Sequence, residues 1–344
     1  MMTSRERETL GFISAAAEVI EKANSVVLYV HDGVFHADDV LCACLFEAHF
    51  KNIERKVIRR RMTLKDIEEL KALDDGVTRI VCDTGMEDTI ADNLVVLDHH
   101  SATKATYQNG VQMAAVGKLA VCLITAFPDT RFDKLYEKFV KSVLEPVEAQ
   151  DNGQTAESLG IQLSPNLFNW VSSFNCNWNE DPSESSSKFF EAVELATKIL
   201  DRQLDRLEGA AEAEEAVKEC ISAADQGVLE LDKFMPWQEV VIKHNQENPN
   251  SLIKVIVFKA AAGEQWNCQC VPVALGSFDT IVKAPESWGG KTGSEISNLS
   301  GIEGATFCHR GLWLCAWKTK NAALKAAHRI IEIYEWNHTQ ITVG

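Results

Sequence analysis

Over the first hundred residues, short runs that are apolar at nearly every position alternate with longer runs whose apolar positions recur every three or four residues. Val26-Val27-Leu28-Tyr29-Val30, Arg79-Ile80-Val81-Cys82 and Leu94-Val95-Val96-Leu97 are of the first kind. Short and rich in β-branched residues, they predict strands covered on both faces. Lys56-Val57-Ile58 predicts one more strand. Helical spacing runs over Glu6–Lys22, read as a surface helix, over Asp38–Phe50, and over Thr63–Ala72. In the last of these Thr63 is the N-cap and Asp66 holds the capping-box position. Ala114–Phe127 and Phe132–Gln150 predict two further helices. Such alternation of strand and helix predicts an open parallel sheet with right-handed crossovers and helices on both faces.

The pattern changes further along. Ser186–Ala224 is a long, charged amphipathic helical stretch. Beyond Gly227, Val240–Ile242, Ile253–Phe258, Asn267–Val273, Ala305–Cys308 and Leu312–Trp317 read as strands, and Ser294–Leu299 and Thr319–Tyr334 as helices. The expectation is an α/β protein with two domains. A parallel-sheet domain spans 1–224, with 186–224 as a helical linker, and a smaller α+β domain spans 225–344. A chain of 344 residues exceeds the ~250–300 at which single cores stop growing.

Charge narrows the function. The net charge is −16, which argues against a face built to neutralise the phosphates of a long duplex. It leaves room for a short phosphate-bearing substrate in one cleft. The longest apolar run, Val40–Phe46, is far below the ~20 residues a bilayer requires, so no membrane partner is expected. Arg5, Glu6, Arg7 and Glu8 make a poor signal-peptide start, and Glu18 and Glu21 break the apolar stretch after them; a transit peptide stays open, with those glutamates counting against it. A cytoplasmic location is expected, with the ten cysteines as free thiols. The C-x-C pairs Cys42/Cys44 and Cys268/Cys270 lack the C-x2-C spacing of a zinc site, and Cys42 and Cys44 read as packing residues.

The candidate chemistry sits where the predicted strands stop. His31 follows the first, with His36 and Asp38 just beyond; Asp83 ends the third; Asp98-His99-His100 ends the fourth; Asp151-Asn152-Gly153 closes a helix. Each alone has an ordinary reading: a loop hydrogen-bonder, a helix cap, a turn. Together they place histidines and carboxylates outside the carboxyl ends of parallel strands, where such folds bind ligands. Mixed imidazole and carboxylate ligands suit Mn²⁺, Fe²⁺, Zn²⁺ or Co²⁺ better than Mg²⁺ alone. A shared carboxylate can bridge two ions for phosphoester hydrolysis.

The series His31-Asp32-Gly33-Val34-Phe35-His36-Ala37-Asp38-Asp39, Asp83-Thr84-Gly85, Asp98-His99-His100 and Asp151-Asn152-Gly153 resembles the motifs of the DHH phosphoesterase superfamily. Within it the chain is similar to the melanocyte-proliferating-gene type exonucleases. Further matches are Val57-Ile58-Arg59-Arg60-Arg61, Asn175-Cys176-Asn177-Trp178-Asn179, Pro236-Trp237, Pro285-Glu286-Ser287-Trp288, Ser300-Gly301-Ile302 and Phe307-Cys308-His309. The likeness runs from about residue 25 to about residue 330. It implies a DHH-type catalytic domain, a smaller C-terminal substrate domain, and two divalent ions, Mn²⁺ first, with Mg²⁺, Co²⁺, Fe²⁺ or Zn²⁺ as alternatives. It implies 3′–5′ hydrolysis of short single-stranded RNA. His31, His36 and Asp83 would hold one ion; Asp38, Asp83, His99 and Asp151 the other, with Asp83 bridging. Asp98 would orient His99, and His100 would lie beside the phosphate. Arg59 and Arg61 would clamp phosphate, against the plain reading of a solvated basic run. His309 would reach the substrate. Trp288 is expected to be buried rather than stacked on a base, and Trp178 to lie in the core. Family analogy adds nuclear or mitochondrial location as alternatives, and self-association stays open.

The sequence departs from the family pattern around the substrate rather than at the metal positions. Asp32 replaces an asparagine, Met62 an acid, and Trp170 an arginine. Ala114-Ala115-Val116-Gly117 stands for a run of smaller residues, and Leu314-Cys315-Ala316-Trp317 for a glycine pair. Trp288-Gly289-Gly290-Lys291-Thr292 lacks two arginines. Two rival readings follow: hydrolysis of another small phosphate substrate, such as a cyclic dinucleotide or pyrophosphate, and a metal-binding scaffold with little catalysis. The complete ligand set disfavours the scaffold.

Overall fold

The computed structural model describes residues 4–85, 87–98, 112–151, 167–261 and 263–342. It divides into two compact units, Met1–Leu207 and Glu208–Gly344. The first is built on a five-stranded sheet in the order β2-β1-β3-β5-β4. Strands β1 (Ser25–Val30), β2 (Glu54–Arg59), β3 (Thr78–Cys82) and β5 (Leu94–Leu97) run parallel. Strand β4 (Thr89–Ala91), too short to be read from the sequence, pairs antiparallel at the edge.

Both faces of this sheet are covered, as continuous apolar strands require. Val26, Leu28, Val30, Ile80, Cys82, Val95 and Leu97 share a core with α1 (Ser4–Glu21), α2 (Ala37–His49) and α4 (Ala115–Ala126). Val81, Leu94 and Val96 pack on the other face with Ile67 of α3 (Leu64–Lys71). Helix α1 is less superficial than its charge suggested, since Ile13, Ala16, Ala17 and Ile20 are buried. Thr63 caps α3 as expected: its hydroxyl accepts from the Asp66 N–H at 3.2 Å, and the Asp66 carboxylate accepts from the Thr63 N–H at 2.8 Å.

The expected helix Phe132–Gln150 is three segments: α5 (Arg131–Phe139), a π turn (Val140–Leu144) and α6 (Glu145–Asp151). Pro146 has no N–H to continue an α-helical ladder, and the Glu145 N–H donates to Val140 C=O instead. After α7 (Leu167–Ser172), the long α8 (Ser185–Ile221) follows the anticipated charged stretch. The sequence placed a domain boundary after residue 224; packing divides the units inside α8. Leu204 and Leu207 join the first core, whereas Val217, Cys220 and Ile221 join a core of the second unit.

The second unit holds a sheet in the order β6-β7-β8-β10-β9, antiparallel except for the β6–β7 pair. Its strands are β6 (Val228–Leu231), β7 (Val255–Lys259), β8 (Trp266–Cys270), β9 (Ala305–Cys308) and β10 (Leu314–Trp317). Val240–Ile242, expected as a strand, lies in helix α9 (Gln238–Glu247). Trp237 at its N-cap and Val241, Ile242 and Asn245 within it are buried, a helical spacing that three apolar residues alone cannot disclose. Asn245 fixes α9 to the next strand through hydrogen bonds with Ile253 N–H and C=O, both 2.8 Å. Helices α10 (Gly293–Ser300) and α11 (Lys320–Thr342) cover the opposite face through Ile296, Ala323, Ala326, Ala327 and Ile330. No helix among the described residues is long and apolar enough to cross a membrane.

Candidate metal centre

Parallel pairing of β1, β3 and β5 brings their carboxyl ends to one edge of the sheet. Tyr29 pairs with Val81 and Cys82 with Leu97, so His31, Asp83 and Asp98 emerge side by side. The backbone turns sharply at two of these exits. Asp83 takes a left-handed φ of 54°, a conformation aspartate tolerates better than most residues. Gly33 follows His31 with φ 84°. Gly85 is required for close approach as well: at φ 113°, a Cβ there would lie 3.0 Å from Val96 Cγ1.

The histidines and acids of the first motif converge with Asp83 and Asp151. His31 Nε2 lies 2.9 Å from Asp39 Oδ2 and 3.6 Å from Asp83 Oδ2. His36 Nδ1 lies 3.9 Å from Asp151 Oδ1. In each of three sets, one ligand atom per residue lies within 4.8 Å of the others: His31, His36 and Asp39; His36, Asp38 and Asp151; Asp38, Asp39 and Asp83. His31 Nδ1 sits 2.7 Å from the Asp32 carbonyl. With the carbonyl accepting from Nδ1–H, Nε2 is the nitrogen turned toward the acids, donating to Asp39 while the ring is protonated and open to a cation once that proton leaves.

The cluster suits cations for two reasons. Asp38 is fully buried, and among the described residues neither of its carboxylate oxygens has a hydrogen-bond partner, nor has Asp39 Oδ1. Buried carboxylate oxygens left this way are costly unless something binds them. Asp38 is pushed well above the ordinary carboxylate range, first by burial and then by repulsion from Asp39, Asp83 and Asp151. Burial alone would lower the His31 imidazole, but its hydrogen bond to Asp39 and the charges of Asp39 and Asp83 raise it to about 9. A site that crowds acids around imidazoles and leaves oxygens unpartnered fits divalent ions.

Of the metal-type residues singled out in the sequence, His31, His36, Asp38, Asp83 and Asp151 come together. His99 and His100 lie outside the described residues. Two features differ from the expected grouping. His36 shares a set with Asp38 and Asp151, and Asp39 completes the set with His31. Asp39 stood in the motif but received no role. Its place three residues after His36, accepting from the His36 N–H at 3.1 Å, is a capping-box spacing that could have drawn attention to it. Asp98 is buried, and its backbone is held on both sides: its N–H donates to Asp88 Oδ1 at 3.0 Å, and its C=O accepts from Lys118 Nζ at 2.6 Å.

The loop from His31 to His36 is braced from elsewhere. Asn175 accepts from the Phe35 N–H at 2.9 Å and donates to the Phe35 C=O at 2.8 Å. Arg59 donates to the Gly33 C=O at 2.6 Å and to Ser185 Oγ at 2.9 Å. Its guanidinium lies 5.1 Å from the Phe35 ring centroid and 4.9 Å from that of Phe189. Of the two arginines read as phosphate clamps, Arg59 is thus engaged with the loop, while Arg61 is exposed. His309 follows β9 in the second unit; its Nδ1 accepts from the Gly311 N–H at 3.0 Å, and its ring lies 4.8 Å from that of Trp313. Trp288 is buried against Trp317, as anticipated. Trp178 is not in the core: it is 96% exposed, in the segment between α7 and α8.

The MYG1_exonuc family model, described as an uncharacterised protein family (UPF0160), matches residues 27–331. The chain belongs to this family. The mouse "MYG1 exonuclease" is 26% identical over 325 residues, covering 86% of this chain and 82% of that one. The "MYG1 protein" of Chlamydia muridarum is 26% identical over 305 residues, covering 88% and 95%. Among solved structures, "exonuclease RecJ bound to manganese" aligns over 93% of each chain at 13% identity with a TM-score of 0.31. The MYG1 match spans both units, so the metal-type cluster and the His309 hairpin both fall within it.

Proposed function

We propose that this protein is a metal-dependent phosphodiesterase that shortens short single-stranded RNA from its 3′ end. The observation that carries the reading is the buried Asp38 carboxylate, without a hydrogen-bond partner among the described residues, set among Asp39, Asp83, Asp151, His31 and His36. The exonuclease names of the mouse and other relatives supply the reaction class. His31, His36, Asp38, Asp39, Asp83 and Asp151 would hold two divalent ions, Mn²⁺ first as the family resemblance implies and one of the ions that mixed imidazole and carboxylate ligands suit, with His99 expected among them. Bound ions supply positive charge that acidifies water and offsets charge developing on the phosphate.

The chain's own residues set the stage for that chemistry. The Asp32 carbonyl fixes the His31 tautomer and aims Nε2. Asn175 and Arg59 hold the loop that spaces His31 from His36. Lys118 and Asp88 fix the Asp98 backbone at the end of β5, from which Asp98 and His100 would act on His99 and the phosphate. His309 and Arg61 supply imidazole and cationic groups for the substrate.

The test is release of mononucleotides from end-labelled short RNA with added Mn²⁺, with Asp83→Asn as the inactive control, since asparagine tolerates the left-handed backbone. Stepwise 3′–5′ shortening by the parent and none by the variant is the expected result. Bound metal with intact RNA would refute the RNA reading. A panel of cyclic dinucleotides and pyrophosphate would then test the second one, which the missing arginines at 288–292 favour. Bound metal with no turnover on any of these would leave the scaffold.

A further inference from the structure

We propose that the second unit carries a nucleobase pocket, walled by Trp313, Phe278, Gln238 and Gln269, which takes a base of the substrate. The proposal rests on the phosphodiesterase reading and gives it a recognition element.

A cavity of about 270 Å³ is bounded by the start of α9, by Gln269 on β8, by the loop after β8 and by Trp313. That is just below the ~300–1,000 Å³ of sites for drug-sized ligands, and suits a single ring system. The loop is ordered by its own backbone. Val273 N–H donates to Asp279 C=O at 2.9 Å, Ser277 N–H to Ala274 C=O at 3.1 Å, and Ile281 N–H to Val271 C=O at 2.8 Å. The loop nonetheless leaves Phe278 84% exposed. An aromatic ring held in water at the rim of a cavity that Trp313 also lines offers a flat heterocycle a surface to lie on.

The polar groups point the same way. The hydroxyls of Ser277 and Thr280 are engaged with the loop's own backbone, at Asp279 and Val282. The side-chain amides of Gln238 and Gln269 and the Trp313 indole N–H make no hydrogen bond with any described residue. Each amide offers both a donor and an acceptor, the pairing a base edge needs. The Trp313 ring also contacts His309, the imidazole expected at the substrate phosphate. Base and phosphate contacts would then share one hairpin, β9–β10.

The experiment titrates adenosine and uridine into the full-length, metal-free protein by calorimetry, with ribose and inorganic phosphate as controls. Neither nucleoside contains the bond to be cut nor needs a metal to bind. Saturable binding of a nucleoside, at least tenfold weaker binding of ribose, and at least tenfold loss in both Trp313→Ala and the rim variant Phe278→Ser are expected. Retention in Trp313→Phe would show that the aromatic face is what matters. Absence of nucleoside binding, or equal binding by parent and Phe278→Ser, overturns the pocket. RNA shortening with an unchanged KM in Phe278→Ser overturns the pocket but leaves the phosphodiesterase. Nucleoside binding at Trp313 without any hydrolysis keeps the pocket and removes the phosphodiesterase.

Discussion

Asn175→Ala isolates the bracing of the loop that carries His31 and His36 without touching a metal-type residue. The side chain closes a two-bond clip on the Phe35 backbone, at 2.9 and 2.8 Å. Phe35 itself is fully buried, so removal of the amide strands an N–H and a C=O together. An unsatisfied buried group costs about 1–3 kcal/mol. With some water entering the space left behind, the pair should cost about 2–4 kcal/mol. For a unit of this size that corresponds to a melting point lowered by about 5–15 °C. Thermal unfolding of the metal-free protein measures the stability part. Calorimetric Mn²⁺ titration measures the second consequence, weaker binding as the spacing of His31 from His36 loosens. Asn175→Asp serves as a partial variant, keeping an acceptor for the Phe35 N–H while setting a carboxylate oxygen against the Phe35 C=O. It should fall at or below the alanine variant in stability. A melting point within about 1 °C of the parent together with unchanged Mn²⁺ affinity would refute the clip as the brace of the site.

Three further outcomes are expected. Arg59→Lys keeps the charge but loses the fork that joins Gly33 and Ser185 between two aromatic rings, and should cost about 1–3 kcal/mol in chemical unfolding; retained stability with a raised KM for RNA would return Arg59 to the phosphate. Lys118→Met removes the buried cation beside Asp88, whose largely covered carboxylate it meets at 2.9 and 2.7 Å; a loss of about 3–5 kcal/mol is expected in denaturant titration, and a neutral result would refute it. In the metal-free protein the raised His31 imidazole, at about 9 against an unfolded 6.5, contributes stability that is fully present below pH 6.5 and is lost as pH rises through about 9. His31→Gln should flatten that slope between pH 6.5 and 9 in denaturant titrations, and equal slopes would sink the assignment.

The sheet and its ligand-bearing edge were legible because the physics there is local. A strand buried on both faces must be apolar throughout, and the first polar residues after Val30, Cys82 and Leu97 mark where each strand leaves the core. Parallel pairing then needs only the intervening helices to be noticed. The second unit was less legible. Val240–Ile242 is too short to distinguish a strand from a buried helix turn, and only Trp237 below and Asn245 above it settle the period. Trp178 looked like core because tryptophan usually is; nothing in a sequence reports that a turn holds it in water. The bracing role of two residues already singled out escaped for a different reason. Asn175 and Arg59 act through backbone atoms of a loop far away in the chain, and such partners carry no side-chain signature. Asp39 escaped as the second half of a doublet whose first half already had a role.

The backbone at Asp83 limits where this lineage can go. At a φ of 54° glycine, asparagine and aspartate sit with little strain, and other residues pay ~1–2 kcal/mol. Glutamate, the natural chemical substitute for an aspartate ligand, is penalised by the backbone and again by its extra methylene. The substitutions that keep the fold at ease are therefore the two that delete the carboxylate. Loss at this position should be abrupt, with no well-folded intermediate carrying an alternative acid. A relative with glycine or asparagine here would be an intact, stable protein that has left hydrolysis behind, and a search for family members with a purely binding role should start at this residue.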